Sequence, residues 1–213
     1  IELLSRWFDR EEDLPAWVPV DLVLGQTSAQ PYRSETELAA IRQEARWLAS
    51  CHPFAISAIE NRISYVVGSG HSYKLRPKPG QTIGPDLLEA IERELLEFQE
   101  QNEWFARQAE CQRRLDRDGE VFLRFFSVEG RLVVRFVEPE QVGQPMGRAE
   151  APYGIETDPH DVETVRAYWI RQDPQQPTSW ERVPAEQVQH RKANCDRTAP
   201  RGVPLLWSVR QNL

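Results

Sequence analysis

Cysteine is scarce in this 213-residue chain: Cys51, Cys111 and Cys195 are scattered and odd in number. That pattern excludes a disulfide framework and points to a reducing compartment. No apolar run approaches the roughly eighteen residues needed to cross a bilayer, and the start shows no secretory signal. A basic surplus is missing too. The formal net charge is −7, which argues against a groove that grips DNA by its phosphates, though not against a passage through which DNA slides. Nucleophile patterns of the Gly-x-Ser-x-Gly kind are absent. The four histidines, His52, His71, His160 and His190, make no pair with metal-ligand spacing. No catalytic residue, cofactor or metal is therefore expected. The first residue is Ile, so a processed chain or a fragment is expected.

Two further patterns resemble ligand loops without completing them. Gly68-Ser69-Gly70 closes a helix and precedes an extended stretch, the reverse of a phosphate loop, and reads as a helix stop. Asp116-Arg117-Asp118-Gly119-Glu120 starts like a calcium loop, but no glutamate falls at the closing position, so it reads as a helix-to-strand turn.

What is present is an ordered series of elements. Residues 1–33 form an arm and linker: Trp7, Phe8 and Trp17 suit docking, while Pro15 and Pro19 break any long helix. Ser34 and Glu37 have capping-box spacing, and Leu38, Ile41, Ala45 and Leu48 then line one helical face. Pro53 opens a second helix that buries Ile56, Ile59, Ile63 and Val66 and stops at Gly68. Residues 71–76 read as a strand. Pro85 opens a third helix with Leu87, Leu88, Ile91, Leu95 and Phe98 on one face and acids on the other. Asn102 caps a fourth helix carrying Trp104, Phe105 and Leu115.

The organising stretch is residues 115–142. Two apolar runs, 121–126 and 132–137, are β-branched and aromatic and flank Glu129-Gly130, which predicts a β-hairpin. A two-residue loop sets Phe125 opposite Val134 and Leu123 opposite Phe136. On the other face Arg124 and Arg135 become cross-strand neighbours of like sign, an unfavourable pair unless carboxylates or solvent intervene. Either these arginines snorkel on a half-exposed face, or the face meets another chain that carries acids. Short strands follow at 154–158, 162–170, 180–183 and 190–192. In the first long one, Val165, Ala167 and Trp169 alternate against Arg166 and Tyr168. A turn of helix is expected at 184–188, and a new helix from Pro204. Helices followed by mostly antiparallel strands make an α+β fold, with the N-terminal helices packed on the sheet.

Several phrases, in order, resemble the phage portal protein family, specifically its lambda-like branch. They are Pro53-Phe54-Ala55 through Val66-Val67-Gly68-Ser69-Gly70, Leu115 through Asp118-Gly119-Glu120-Val121-Phe122, and Val137-Glu138-Pro139-Glu140-Gln141-Val142. Tyr153-Gly154-Ile155-Glu156 with Tyr168-Trp169-Ile170, Val183-Pro184 through Gln189-His190, and Arg201-Gly202-Val203-Pro204-Leu205 complete the series. The resemblance implies a ring-forming structural subunit, typically dodecameric, at a capsid vertex. Its implied partners are further copies of itself, capsid protein, terminase and a head–tail adaptor, with DNA passing non-specifically and no membrane. The implied location is the virion, and the host cytoplasm before assembly. Residues 34–203 would be the wing, and residues 204–213 the start of a helix leading to a stem; the stem and clip lie beyond this chain.

The expected function is therefore structural, with interface candidates Trp7, Trp17, Arg124 and Arg135. Two alternatives stand beside it. One is a metal-dependent hydrolase or nuclease using Asp116, Asp118, Glu120 or Glu138. The other is a generic soluble interaction module.

Overall fold

A computed structural model describes residues 30–211, apart from 174 and 177. Helices α1 (Glu35–Cys51), α2 (Pro53–Val66), α3 (Pro85–Gln101) and α4 (Trp104–Asp118) come first. Strands β1 (Glu120–Val128), β2 (Arg131–Val137), β3 (Ile155–Asp158), β4 (Asp161–Arg171), β5 (Trp180–Pro184) and β6 (Val188–Lys192) follow. The fold is α+β. The strands divide into two antiparallel sheets, ordered β2-β1-β6 and β3-β4-β5, instead of forming one.

Local chemistry sets the helix ends. The Ser34 hydroxyl accepts from the Glu37 amide, 3.2 Å away, and the Glu37 carboxylate accepts from the Arg33 amide. These bonds satisfy donors that the first turn leaves open. Leu38, Ile41, Ala45 and Leu48 are all buried, and each large apolar side chain placed there contributes about 1.5–3 kcal/mol. In α2 the buried face is Ala55, Ile59, Ile63 and then Val67, whereas Ile56 and Val66 are exposed. The stripe is rotated from the expected one because α2 packs against α1 and α4 along its small Ala55 side.

The β1–β2 hairpin has the expected register, with Phe125 opposite Val134, Leu123 opposite Phe136 and Arg124 opposite Arg135. Its turn uses positive φ at both central residues, 51° at Glu129 and 78° at Gly130, the combination whose twist matches flanking strands. The two sheets meet face to face. Phe122, Val137 and Val188 from one pack on Ile155, Tyr168, Ile170 and Val183 from the other. In β4 it is thus Tyr168 and Ile170 that enter the core, not Trp169: opposite consecutive residues of β3 the pairing skips from Ala167 to Val165 and on to Asp161, so the extra residues bulge from β4 and reset its alternation.

Three other expectations change. Residues 71–76 form no strand; His71 and Tyr73 bond to side chains of α4 and pair with no sheet edge. Asn102 ends α3, and Glu103, at φ 46°, precedes α4. The helix expected from Pro204 is a short 3-10 helix, Leu205–Val209, whose Leu206 joins the α1–α2 core. Upstream of Ser34, Tyr32 is buried against Leu38, Ile41 and Val203.

Candidate functional site

Among the described residues, buried charge gathers where α4 becomes β1. Gly119 ends α4 at φ 82°, and the chain turns so that Glu120 starts β1 with its carboxylate wholly buried. Three elements supply its partners. Arg42 sits on the apolar stripe of α1, one position after Ile41, and its Nη2 donates to Glu120 while Nε donates to the Asp118 carbonyl at 3.2 Å. His190 of β6 is registered beside Phe122 of β1, stacks on that ring at 4.0 Å, and places Nε2 3.0 Å from Glu120. Arg201 approaches from the C-terminal segment, its Nε 2.8 and 3.0 Å from the two carboxylate oxygens.

Arg201 is also the molecule's main tie. Its remaining N–H groups donate to the carbonyls of Pro139, Val142 and Tyr153, at 2.8, 2.9 and 3.0 Å. Its own carbonyl accepts from the Tyr32 hydroxyl at 2.9 Å. One planar guanidinium thus joins β1 to the loops leading from β2 and into β3, a fork that Lys does not reproduce. The approach requires two glycines: a Cβ on Gly202 would stand 2.0 Å from the Gly119 oxygen, and one on Gly119 would stand 2.3 Å from the Val203 carbonyl carbon.

Burial alone would raise the Glu120 carboxyl, but the Arg201 and Arg42 guanidiniums and the His190 hydrogen bond outweigh it and hold the group far below the carboxylate range. His190 goes the other way: burial lowers its pKa despite Glu120 beside it. The imidazole is thus neutral at pH 7, and since a carboxylate only accepts, Nε2 is assigned the proton. Tyr168, edge-on to the same imidazole, is pushed up to about 12 by burial and by the Glu120 charge.

Other acids near this junction are engaged separately. Asp118, buried, is held by Arg46 at 2.7 Å and Arg117 at 2.7 Å; these bonds overcome the upward effect of burial and lower its pKa. Asp116 takes Arg62 and Gln112, each at 2.9 Å, and Glu138 takes Arg114 at 2.7 Å. The four carboxylates of the hydrolase alternative are therefore each neutralised by guanidiniums, with Arg46 reaching both Asp118 and Glu138. Among the described residues no three His, Cys, Asp or Glu side chains are placed to hold a metal ion.

A cleft of about 590 Å³ opens beside His190 and Tyr168, and Tyr32, Tyr153, Ile155 and Lys192 also line it. Three of its polar groups are already engaged. Tyr32 donates to Arg201, His190 to Glu120, and Lys192 Nζ to the carbonyls of Arg197 and Ala199. The arrangement holds loops in place.

The sequence-derived interface candidates fall apart from this cluster. Arg124 is nearly covered, makes a two-point pair with Glu181 of β5 at 2.9 and 2.6 Å, and lies 4.7 Å over the Phe126 ring. The carboxylate that neutralises Arg124 thus comes from its own chain. Arg135 is exposed and, among the described residues, bonds only the neighbouring Val134 carbonyl. Trp7 and Trp17 lie outside the described residues.

Residue-level reasoning missed Arg42, His190 and Arg201 as a group. Arg42 did carry a signal, since positions 38, 41, 42 and 45 share one helical face. Nothing local in the sequence marks Arg201 as the partner of a residue 81 positions earlier.

In comparison with known proteins, a family model described as phage portal protein, lambda family, matches residues 25–213. No curated protein sequence matches the chain.

Proposed function

Because this chain belongs to the lambda family of phage portal proteins, we propose that it forms the wing of a portal ring at one capsid vertex, through which DNA is packaged and ejected. In this reading its α+β body meets the shell and neighbouring subunits, with terminase and a head–tail adaptor as successive partners. The observation that carries the proposal is the conjunction of the family match with the Glu120–Arg201 cluster. The family phrases at 118–122, 137–142, 153–156, 183–190 and 201–205 all meet there, so what these phrases encode is the scaffold itself. Such a cluster suits a part that must keep its shape under mechanical load and has no bond to make or break.

Arg135, with Trp7 and Trp17, is the contact set proposed for partner surfaces, and Arg124 braces that face through Glu181. The test is genetic. Inactivating this reading frame in its phage should give shells without packaged DNA, and supplying the protein in trans should restore filled particles. Filled, infectious particles formed without it overturn the proposal.

A further inference from the structure

One block of charge finds no counterpart inside the chain. Between Glu60 and Asp86 there is no acidic residue. Within that interval Lys74, Arg76 and Lys78 are exposed and form no ion pair among the described residues. The backbone runs from His71 to Lys78 without turn or bend, anchored at Tyr73, whose hydroxyl accepts from Trp104 and Gln108 of α4 at 2.9 and 3.1 Å. Pro77 and Pro79 keep Arg76 and Lys78 out of the helical region. Three cations two residues apart thus span roughly 13 Å of extended chain.

The opposite charge stands on α3. Asp86, Glu89, Glu92, Glu94, Glu97 and Glu100 oppose the single Arg93, and none of the six enters an ion pair among the described residues. At 100° per residue, Asp86, Glu89, Glu97 and Glu100 share one face that Arg93 also occupies, so the face stays acidic by four charges to one, and Leu96 and Leu87, 60% and 56% exposed, lie beyond its two edges. The contrast with α1 is direct: both helices have 17 residues, yet α1 buries five side chains and α3 buries none. An apolar-edged helix left open by its own chain marks a contact surface.

We propose that the 74–78 stretch of one copy lies across the acidic face of α3 in the next copy. The inference rests on the portal reading and names the surfaces that reading requires. Within one copy no cation of the stretch comes into ion-pair range of an α3 carboxylate, so the two surfaces are free for exchange between copies. They are also two different surfaces, and a contact between unlike patches propagates head to tail and closes into a ring when the rotation permits. A nucleic acid fits less well, because the α3 carboxylates that follow the stretch repel a phosphate backbone.

The test is a charge exchange read by sedimentation velocity on the full chain. One variant carries Lys74→Glu, Arg76→Glu and Lys78→Glu; the other carries Glu89→Lys, Glu97→Lys and Glu100→Lys. All of these positions are exposed, and circular dichroism checks that each variant keeps its helix content. Wild type should self-associate, and its apparent association constant should fall on the order of tenfold or more as salt is raised past the screening limit. Each variant alone should sediment as a monomer. An equimolar mixture of the two should associate again, since each reversed surface then meets its complement. A mixture that stays monomeric, variants that associate like wild type, or a wild type that stays monomeric at every concentration overturns the contact. So does a stretch reversal that abolishes binding to duplex DNA while leaving association unchanged. None of these outcomes bears on whether shells fill with DNA, so the contact and the portal reading fail separately.

Discussion

Replacing Arg201 with Met leaves buried Glu120 with Arg42 as its one remaining guanidinium among the described residues and strips three loop carbonyls of their donor. Breaking a buried pair by removing one partner costs about 3–5 kcal/mol, a large part of the 5–15 kcal/mol that typically holds a domain folded. Urea unfolding of Arg201→Met should show that loss as a lower midpoint, and Arg201→Lys should recover only a fraction of it. His190 sets a second dependence. Its folded pKa lies below the ordinary 6.5, so the unfolded chain takes up the proton first. The associated stability is complete above roughly pH 6.5 and declines as the pH falls from there toward the folded value. Glu120 and Asp118, both depressed, add a separate loss that begins only near the ordinary carboxylate range, roughly pH 4. Urea midpoints should thus drop between about pH 7 and pH 5 in wild type, whereas His190→Gln, whose amide can still donate to Glu120, should lose that first step and keep the second. At this scale the sequence disclosed residue types but not partners. Glu120 was visible as an acid after a glycine stop; that it sits beneath two guanidiniums depends on contacts 78 and 81 positions away.

Asn102 joins two elements that otherwise touch lightly. Its amide donates to the carbonyls of Phe98 and Leu132, and its oxygen accepts from the Val134 amide at 2.8 Å, so the end of α3 is bonded directly to β2. Asn102→Ala leaves the Val134 amide buried without its acceptor, at a cost of about 1–3 kcal/mol. Amide exchange at Val134 should accelerate, with α3 protection falling alongside it. Elements were the most legible level of the sequence, for a physical reason. Where an element buries one face in its own chain, periodicity and capping agree, as in α1 and in the β1–β2 hairpin down to the residue pairing. Residues 71–76 alternate like a strand but are fixed to α4 side chains, and nothing in their own pattern distinguishes the two fates. Asn102 has the residue type of a helix cap, but the helix it closes is the preceding one, and its amide also reaches a strand. The rotated stripe of α2 likewise depends on which neighbour offers a groove for Ala55.

Across the whole molecule, 33 acidic residues against 26 basic give the net charge of −7, and most described arginines are bound to carboxylates of the same chain. With so many guanidiniums already paired and the balance of charge negative, the surface is poorly suited to displacing counterions from DNA. Mobility-shift titrations near physiological salt should therefore show binding to duplex DNA no tighter than the non-specific range, roughly 10⁻⁴–10⁻⁶ M. The α+β class followed from the order of elements, and the family from ordered phrases. The split into two sheets did not, because it depends on long-range pairing, β6 returning to β1 across the second sheet, and on loops gathered by one arginine.

That arginine has a consequence for how the protein is made. A ribosome releases Arg42 and Glu120 long before Arg201, so the emerging helices and first hairpin spend an interval with Glu120 lacking its principal cation. Domains tend to mature as units during synthesis, and here the core closes only once residues 201–206 emerge. A nascent chain halted just short of residue 201 should therefore be protease-sensitive throughout its helices, although every one of them has already been translated.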